Sequence, residues 1–130
     1  MSDYTGIIIE ESLADRAVLG MVTVVAQKIE VVTERHQTPW VKQWTLDMVR
    51  VPEAEAEQVA AVLSEAIDTS HKTSWYADYK NDKQHYIIFP GKIFAIDRTS
   101  ASQYQEATDY GISLGIPPYQ VDFSPHIKMS

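Results

Sequence analysis

An aspartate and a histidine on either side of a predicted β-turn form the pair with the best-defined chemistry in this chain. Asp78 and His85 flank the segment Lys80-Asn81-Asp82-Lys83, whose Asn-Asp centre tolerates the left-handed backbone of a tight turn. With two residues at the tip of that turn, Asp78 lies opposite His85 in the predicted hairpin. A carboxylate beside an imidazole orients the ring and supports general-base chemistry. The pair therefore predicts either acid–base chemistry or a cross-strand ion pair, which contributes little when exposed.

The sequence places no nucleophile beside Asp78 and His85, so the pair is incomplete as a catalytic triad. The chain contains no cysteine, which removes thiol nucleophiles, thiolate metal sites and disulfides together. The remaining histidines have spacings that match no zinc-binding motif; they are His36, His71 and His126. We therefore expect no metal site and no cofactor.

One segment matches the pattern of a nucleophile elbow, G-x-S-x-G, letter for letter. It is Gly111-Ile-Ser-Leu-Gly115. The elbow requires a strand before it and a helix after it, whereas here a predicted helix precedes it and Pro117-Pro118 follows. Helix packing and a left-handed C-terminal cap explain the two glycines better.

Hydrophobic periodicity divides the chain into six strands and two helices in the order βββαβββα. The predicted strands are Gly6–Ser12, Val18–Thr33, Trp44–Val51 and three short strands within Ser74–Asp97. The first helix begins at Pro52 and ends near residues 68–70, and the second is capped by Ser102 and ends at Gly115. Tight turns between consecutive strands predict an α+β fold, a mainly antiparallel sheet with two helices on one face.

Length and composition are those of one globular domain. The 130 residues, 45% of them hydrophobic, suffice for one core, and we expect one domain over residues 1–124 and a disordered tail at 125–130. The net charge of −7 counts against binding of nucleic acid. No segment approaches the ~20 apolar residues of a membrane-spanning helix, and no secretory signal is visible. We therefore expect a cytoplasmic protein that binds neither nucleic acid nor a membrane.

The three-stranded meander Ser74–Asp97 is apolar on both of its predicted faces. Its second turn, Phe89-Pro90-Gly91-Lys92, has proline and glycine where a type II turn requires them. One face then carries Tyr76, Asp78, Lys80, Lys83, His85, Ile87, Phe89, Phe94 and Ile96, and the other carries Trp75, Ala77, Tyr79, Tyr86, Ile88, Ile93, Ala95 and Asp97. An antiparallel sheet covered on one side normally shows a polar second face. The second face is therefore covered by the long second strand, by another subunit or by a ligand, and packing within protein is favoured over a ligand platform.

Four blocks of the chain resemble a family of small, uncharacterised prokaryotic proteins. The blocks are Gly6–Ser12, Trp40–Pro52, Ser74–Arg98 and Tyr110–Phe123. The family has no assigned activity, so the resemblance implies a stand-alone cytoplasmic domain and transfers no functional residue.

Two hypotheses of function follow from these features. The first is a non-catalytic interaction module that binds a protein partner or a second copy of itself through the meander, with Tyr76, Lys80, Phe89 and Phe94 as binding residues. The alternative is a small hydrolase or isomerase that uses His85 as acid or base, oriented by Asp78, on an anionic small molecule. In that case Tyr76 and Lys80 supply hydrogen bonds or charge to the substrate.

Overall fold

One antiparallel β-sheet organises the chain, and the computed structural model describes residues 3–31, 43–67 and 75–116. The sheet order is β2-β3-β1-β4-β5-β6. The strands are β1 (Tyr4–Ile9), β2 (Thr23–Val31), β3 (Gln43–Val51), β4 (Ala77–Lys80), β5 (Gln84–Phe89) and β6 (Lys92–Asp97), and the helices are α1 (Ala56–Ala66) and α2 (Ala101–Ser113). The predicted α+β class, the antiparallel sheet and the element order are confirmed. The predicted domain over residues 1–124 and the tail at 125–130 extend outside the described residues.

Short 3-10 turns replace the end of the first predicted strand and the start of the second. Glu10–Ser12 forms one such turn after β1. Arg16–Met21 forms another, which begins where the Asp15 carboxylate accepts a hydrogen bond from the Ala17 N–H at 2.9 Å. Asp15 is therefore a local helix cap, and the predicted strand Val18–Thr33 begins instead at Thr23.

The two helices pack on opposite faces of the sheet. The Tyr79 hydroxyl donates to the Ala56 carbonyl at 2.6 Å, and Leu63 of α1 lies in the same apolar cluster as Tyr79 and Ile88. Tyr104 of α2 lies in a second cluster, on the face formed by residues such as Ile87, Phe89 and Ile96. The expectation that both helices share one face is corrected. Because neighbouring strand residues point to opposite sides, the two apolar faces of the meander need one helix each.

The N-cap of the second helix lies two residues before the residue that the sequence pattern indicated. The Ser100 side chain accepts a hydrogen bond from the Gln103 N–H at 3.2 Å, so Ser100 and not Ser102 is the N-cap. At the other end Gly115 has φ +91°, and its N–H donates to the Ile112 carbonyl at 3.0 Å. This confirms the predicted left-handed cap.

The first turn of the meander is displaced by one residue from its predicted position. The Asn81 side-chain oxygen accepts from the Lys83 and Gln84 N–H groups at 2.9 and 2.8 Å, which makes Asp82 and Lys83 the tip. His85 therefore lies opposite Lys80, and the predicted direct pairing with Asp78 is wrong by two positions. A shift of two residues leaves every side chain on its predicted face. The register across the Pro90-Gly91 turn is confirmed.

Gly6 sits where β1 comes close to the backbone of β4. A Cβ at this position would clash with the Asp78 carbonyl oxygen, whereas a Cβ at Gly20 would meet nothing within 4 Å. Backbone atoms in a paired strand cannot yield as a flexible side chain does. We expect Gly6→Ala to lower the free energy of unfolding by about 3 kcal/mol and Gly20→Ala to change it by less than about 0.5 kcal/mol. Urea denaturation checks this, and equal midpoints for the two variants would contradict it.

Candidate functional site

His85 bridges a carboxylate on β4 and a phenol on α2. Its Nε2 lies 2.7 Å from Asp78 Oδ2, and its Nδ1 lies 3.1 Å from the Tyr104 hydroxyl oxygen. In a neutral ring with the proton on Nε2, the ring donates to Asp78 and accepts from Tyr104. The predicted contact between Asp78 and His85 is thus confirmed, as a diagonal contact across the strands. We call Asp78, His85 and Tyr104 the histidine relay.

Two of the three side chains of the histidine relay are buried. His85 is 2% exposed and Tyr104 is 4% exposed, while the Asp78 side chain is 28% exposed. Burial raises the pKa of the Tyr104 hydroxyl, against the lowering effect of Arg98. The hydroxyl therefore stays protonated and able to donate. Since both ring nitrogens of His85 have partners within the chain, the relay fastens α2 to the sheet, and its carboxylate end is the part that solvent reaches.

The aromatic side chains predicted to bind a partner lie against α2. The Phe89 ring is fully buried, with its centroid 5.1 Å from that of Tyr110, 5.9 Å from that of Phe94 and 5.9 Å from that of Tyr76. Tyr76, Phe94 and Lys80 are half-buried. A helix of the same chain thus covers the meander face for which the sequence analysis sought an occupant. A partner that reached Phe89 would have to displace α2.

A pair of carboxyl groups joined by a glutamine was missed by the sequence analysis. The Gln27 amide nitrogen of β2 donates to Glu10 Oε2 at 3.0 Å and to Asp47 Oδ1 at 2.8 Å. Asp47 is 1% exposed, and its Oδ2 has no hydrogen-bond partner among the described residues. The pKa of Glu10 is raised, first because its protonated form can donate a hydrogen bond to Asp47, then by burial and by the Asp47 charge, and it is opposed by Arg16. We call Glu10, Gln27 and Asp47 the carboxyl clamp.

The carboxyl clamp ties β2 to β3 and to the turn after β1. Residues 10, 27 and 47 are far apart in sequence, so no local motif predicts that they are in contact. One signal was present, because Asp47 shares its face of β3 with Val49 and Val51, which are both buried. A carboxylate in an apolar row requires a partner, and here a proton on Glu10 would supply the missing hydrogen bond to Asp47.

Strand β2 forms one edge of the sheet and is exposed along its length. Its residues Val24, Val25, Ile29 and Val31 are 44%, 52%, 56% and 77% exposed. The pairing with β3 shifts between Val24 and Ala26, which places a bulge at Val25. Beyond the bulge the register is continuous through Val31. We call Ala26–Val31 the edge segment.

The described residues contain neither a metal-binding cluster nor a helix that could span a membrane. No group of three or more His, Cys, Asp or Glu side chains in residues 3–31, 43–67 and 75–116 could hold a metal ion. No helix within those ranges is both long enough and apolar enough to cross a membrane. His36, His71 and His126 lie outside them.

We expect loss of the His85 ring to destabilise the fold. His85→Ala leaves the Asp78 carboxylate and the buried Tyr104 hydroxyl without the partner that joins them, and it opens space under α2. The free energy of unfolding should fall by about 3 kcal/mol, whereas Asp82→Ala at the exposed turn tip should change it by less than about 0.5 kcal/mol. Urea denaturation measures both, and equal stability of the two variants would exclude the fastening role.

The carboxyl clamp predicts how the stability of the folded chain changes with pH. Because the pKa of Glu10 is raised on folding, the folded chain holds this proton more tightly than the unfolded chain does. The stabilisation is therefore present below the ordinary glutamate pKa and is lost as the pH rises through the folded-state pKa. Glu10→Gln supplies a permanent donor to Asp47.

The stability of Glu10→Gln relative to the wild type should therefore increase between about pH 4 and about pH 7. Urea denaturation at a series of pH values measures this difference, with Glu65→Gln on the exposed side of α1 as the control. Parallel pH profiles for Glu10→Gln and the wild type would show that no proton is shared.

Comparisons of the chain with known proteins give no independent indication of its function. No protein-family model, no curated protein and no solved structure matches it. The resemblance to a family of small prokaryotic proteins therefore stays a prediction, and the function of this chain has to be argued from the geometry of its sites.

Proposed function

We propose that this protein is a non-catalytic interaction module that accepts a β-strand of another polypeptide at its edge strand β2. The observation that carries the proposal is the exposure of β2, whose four large apolar side chains are 44% to 77% exposed. An edge strand presents a row of unpaired backbone N–H and C=O groups on its open side. Strand addition would pair those groups and cover the apolar side chains at the same time.

The opposite edge of the sheet offers a poorer surface for strand addition. β6 has six residues against nine in β2. Ile96 of β6 is 1% exposed, and Phe94 is half-buried against α2. Packing under α2 thus fixes the inner side chains of β6, whereas no helix among the described residues covers β2.

Two features of β2 restrict where another strand can add. The bulge at Val25 interrupts the regular pleat, and Lys28 is a charged residue of the kind that blunts natural edges. Addition is therefore best supported at the edge segment. There Gln27, Ile29 and Val31 lie on the face of the sheet that α1 covers at the meander. They lie on this face because the β3 residues with which they pair lie on it.

The histidine relay gives weaker support to an enzyme. Its imidazole is buried and both ring nitrogens already have hydrogen-bond partners, so a substrate could not use the ring without breaking one of them. A structural role, joining the sheet to α2, explains the relay without catalysis.

The proposal is tested by measuring how a substitution in the edge segment changes the binding of displayed peptides. Random eight-residue peptides, together with a peptide of the sequence Ala26–Val31, are selected on the wild-type protein, and the affinities of those selected are measured by fluorescence anisotropy. Ile29→Lys should weaken binding at least about tenfold, because a charge replaces an apolar contact. Ile112→Lys is the matched control, since Ile112 is an apolar residue of α2 that is 43% exposed.

A second readout separates strand addition from ordinary apolar contact. N-methylation of alternate amides of a selected peptide removes backbone donors and leaves its side chains unchanged, so it should abolish binding. The proposal is wrong if no selected peptide is sensitive to Ile29→Lys, or if the sensitive peptides tolerate N-methylation.

A further inference from the structure

We propose that the strand accepted by β2 is β2 of a second copy of this chain, paired antiparallel about a two-fold axis at Ile29. This inference rests on the proposed function and adds the identity of the partner and the register of pairing. It is carried by the order of charges in the edge segment. Lys28 and Glu30 lie on one face of β2, and Ile29 lies between them on the other.

A two-fold axis at Ile29 makes the edge segment complementary to itself. Residues equally distant from the axis on the two strands then lie opposite each other, so Lys28 of each copy faces Glu30 of the other. On the opposite face Ile29 meets its own equivalent, and Gln27 meets Val31. Opposite charges and paired apolar side chains are the cross-strand combinations that stabilise antiparallel sheets.

Other two-fold registers lack this complementarity. An axis at Lys28 places two lysines opposite each other, and an axis at Glu30 places two glutamates opposite each other. Like charges directly opposite are unfavourable. An axis at Gln27 pairs Glu30 with Val24 and so runs across the bulge at Val25. The register at Ile29 is the one that opposes unlike charges and stays within the continuous part of β2.

The charges needed for this pairing are on the surface. The Lys28 and Glu30 side chains are 62% and 37% exposed, and their own Nζ and Oε2 atoms are 3.8 Å apart. At this exposure both charged groups are accessible to a strand that adds along the edge. Gln27, held by the carboxyl clamp, fixes the strand from its other face.

Complementary charge reversal tests the register directly. Lys28→Glu places glutamates opposite glutamates, and Glu30→Lys places lysines opposite lysines. Each variant alone should self-associate at least about tenfold more weakly than the wild type. An equimolar mixture of the two should form a heterodimer, because each glutamate of one variant then faces a lysine of the other. Sedimentation velocity from about 1 µM to about 1 mM and native mass spectrometry measure these states.

The mixture is informative because no change within one chain can produce the rescue. Glu65→Lys and Lys83→Glu, which reverse charges at exposed positions away from β2, serve as controls and should leave the association of the wild type unchanged. Heterodimers in the mixture, together with dissociation of the wild-type dimer by Ile29→Lys, would support the inference.

Three other results would overturn the inference and bear differently on the proposed function. A wild-type dimer that Ile29→Lys dissociates, but that the mixed variants fail to restore, would retain β2 as the interface and reject the register. A dimer unaffected by Ile29→Lys would place self-association on another surface. A wild-type chain that stays monomeric throughout would reject the second copy as partner. In the last two cases the displayed peptides still decide whether β2 accepts a strand.

Discussion

Apolar side chains on both faces of β4 and β5 impose the layered arrangement of this fold. Tyr79 and Ile88 point toward α1, and Ile87 and Phe89 point toward α2. Uncovering either face would return a row of large side chains to water, at about 25 cal/mol for each Å² of apolar surface. The sheet is therefore a shared wall between two apolar clusters. The histidine relay lies on the α2 side of that wall, where its hydrogen bonds fix the second layer.

The covering layers end before the sheet does. On the face that α2 covers at the meander, Ile7 of β1 and Met48 of β3 are each 39% exposed and lie opposite each other. Strand β2 lies farther still from α2, and the carboxyl clamp holds it to its neighbours by polar contacts. The sheet thus consists of a packed part, which supplies stability, and an exposed edge strand, β2.

The fold was more predictable from the sequence than the sites were. Period-two alternation and turn residues were sufficient for the element order, the two faces of the meander and the contact between Asp78 and His85. The predicted register was wrong at Asn81. The side-chain oxygen of Asn81 accepts hydrogen bonds from two backbone N–H groups and so fixes the position of the turn, which residue preferences alone do not reveal. Alternation likewise cannot tell an edge strand from a central one, so the sequence predicted a long second strand without its place at the edge of the sheet. The partners of Gln27 depend on sheet order, which no local pattern contains.

The bulge at Val25 has a consequence for misassembly. In cross-β stacking, identical segments add to one another along a continuous strand edge without limit. In β2 the change of register after Val24 divides a nine-residue strand, so a continuous template of that length does not exist. An isologous contact at the remaining part uses the same edge of both copies and leaves none of it for a third. In the proposed pairing, a strand with the composition of an amyloid-prone segment forms a closed assembly instead of a fibre.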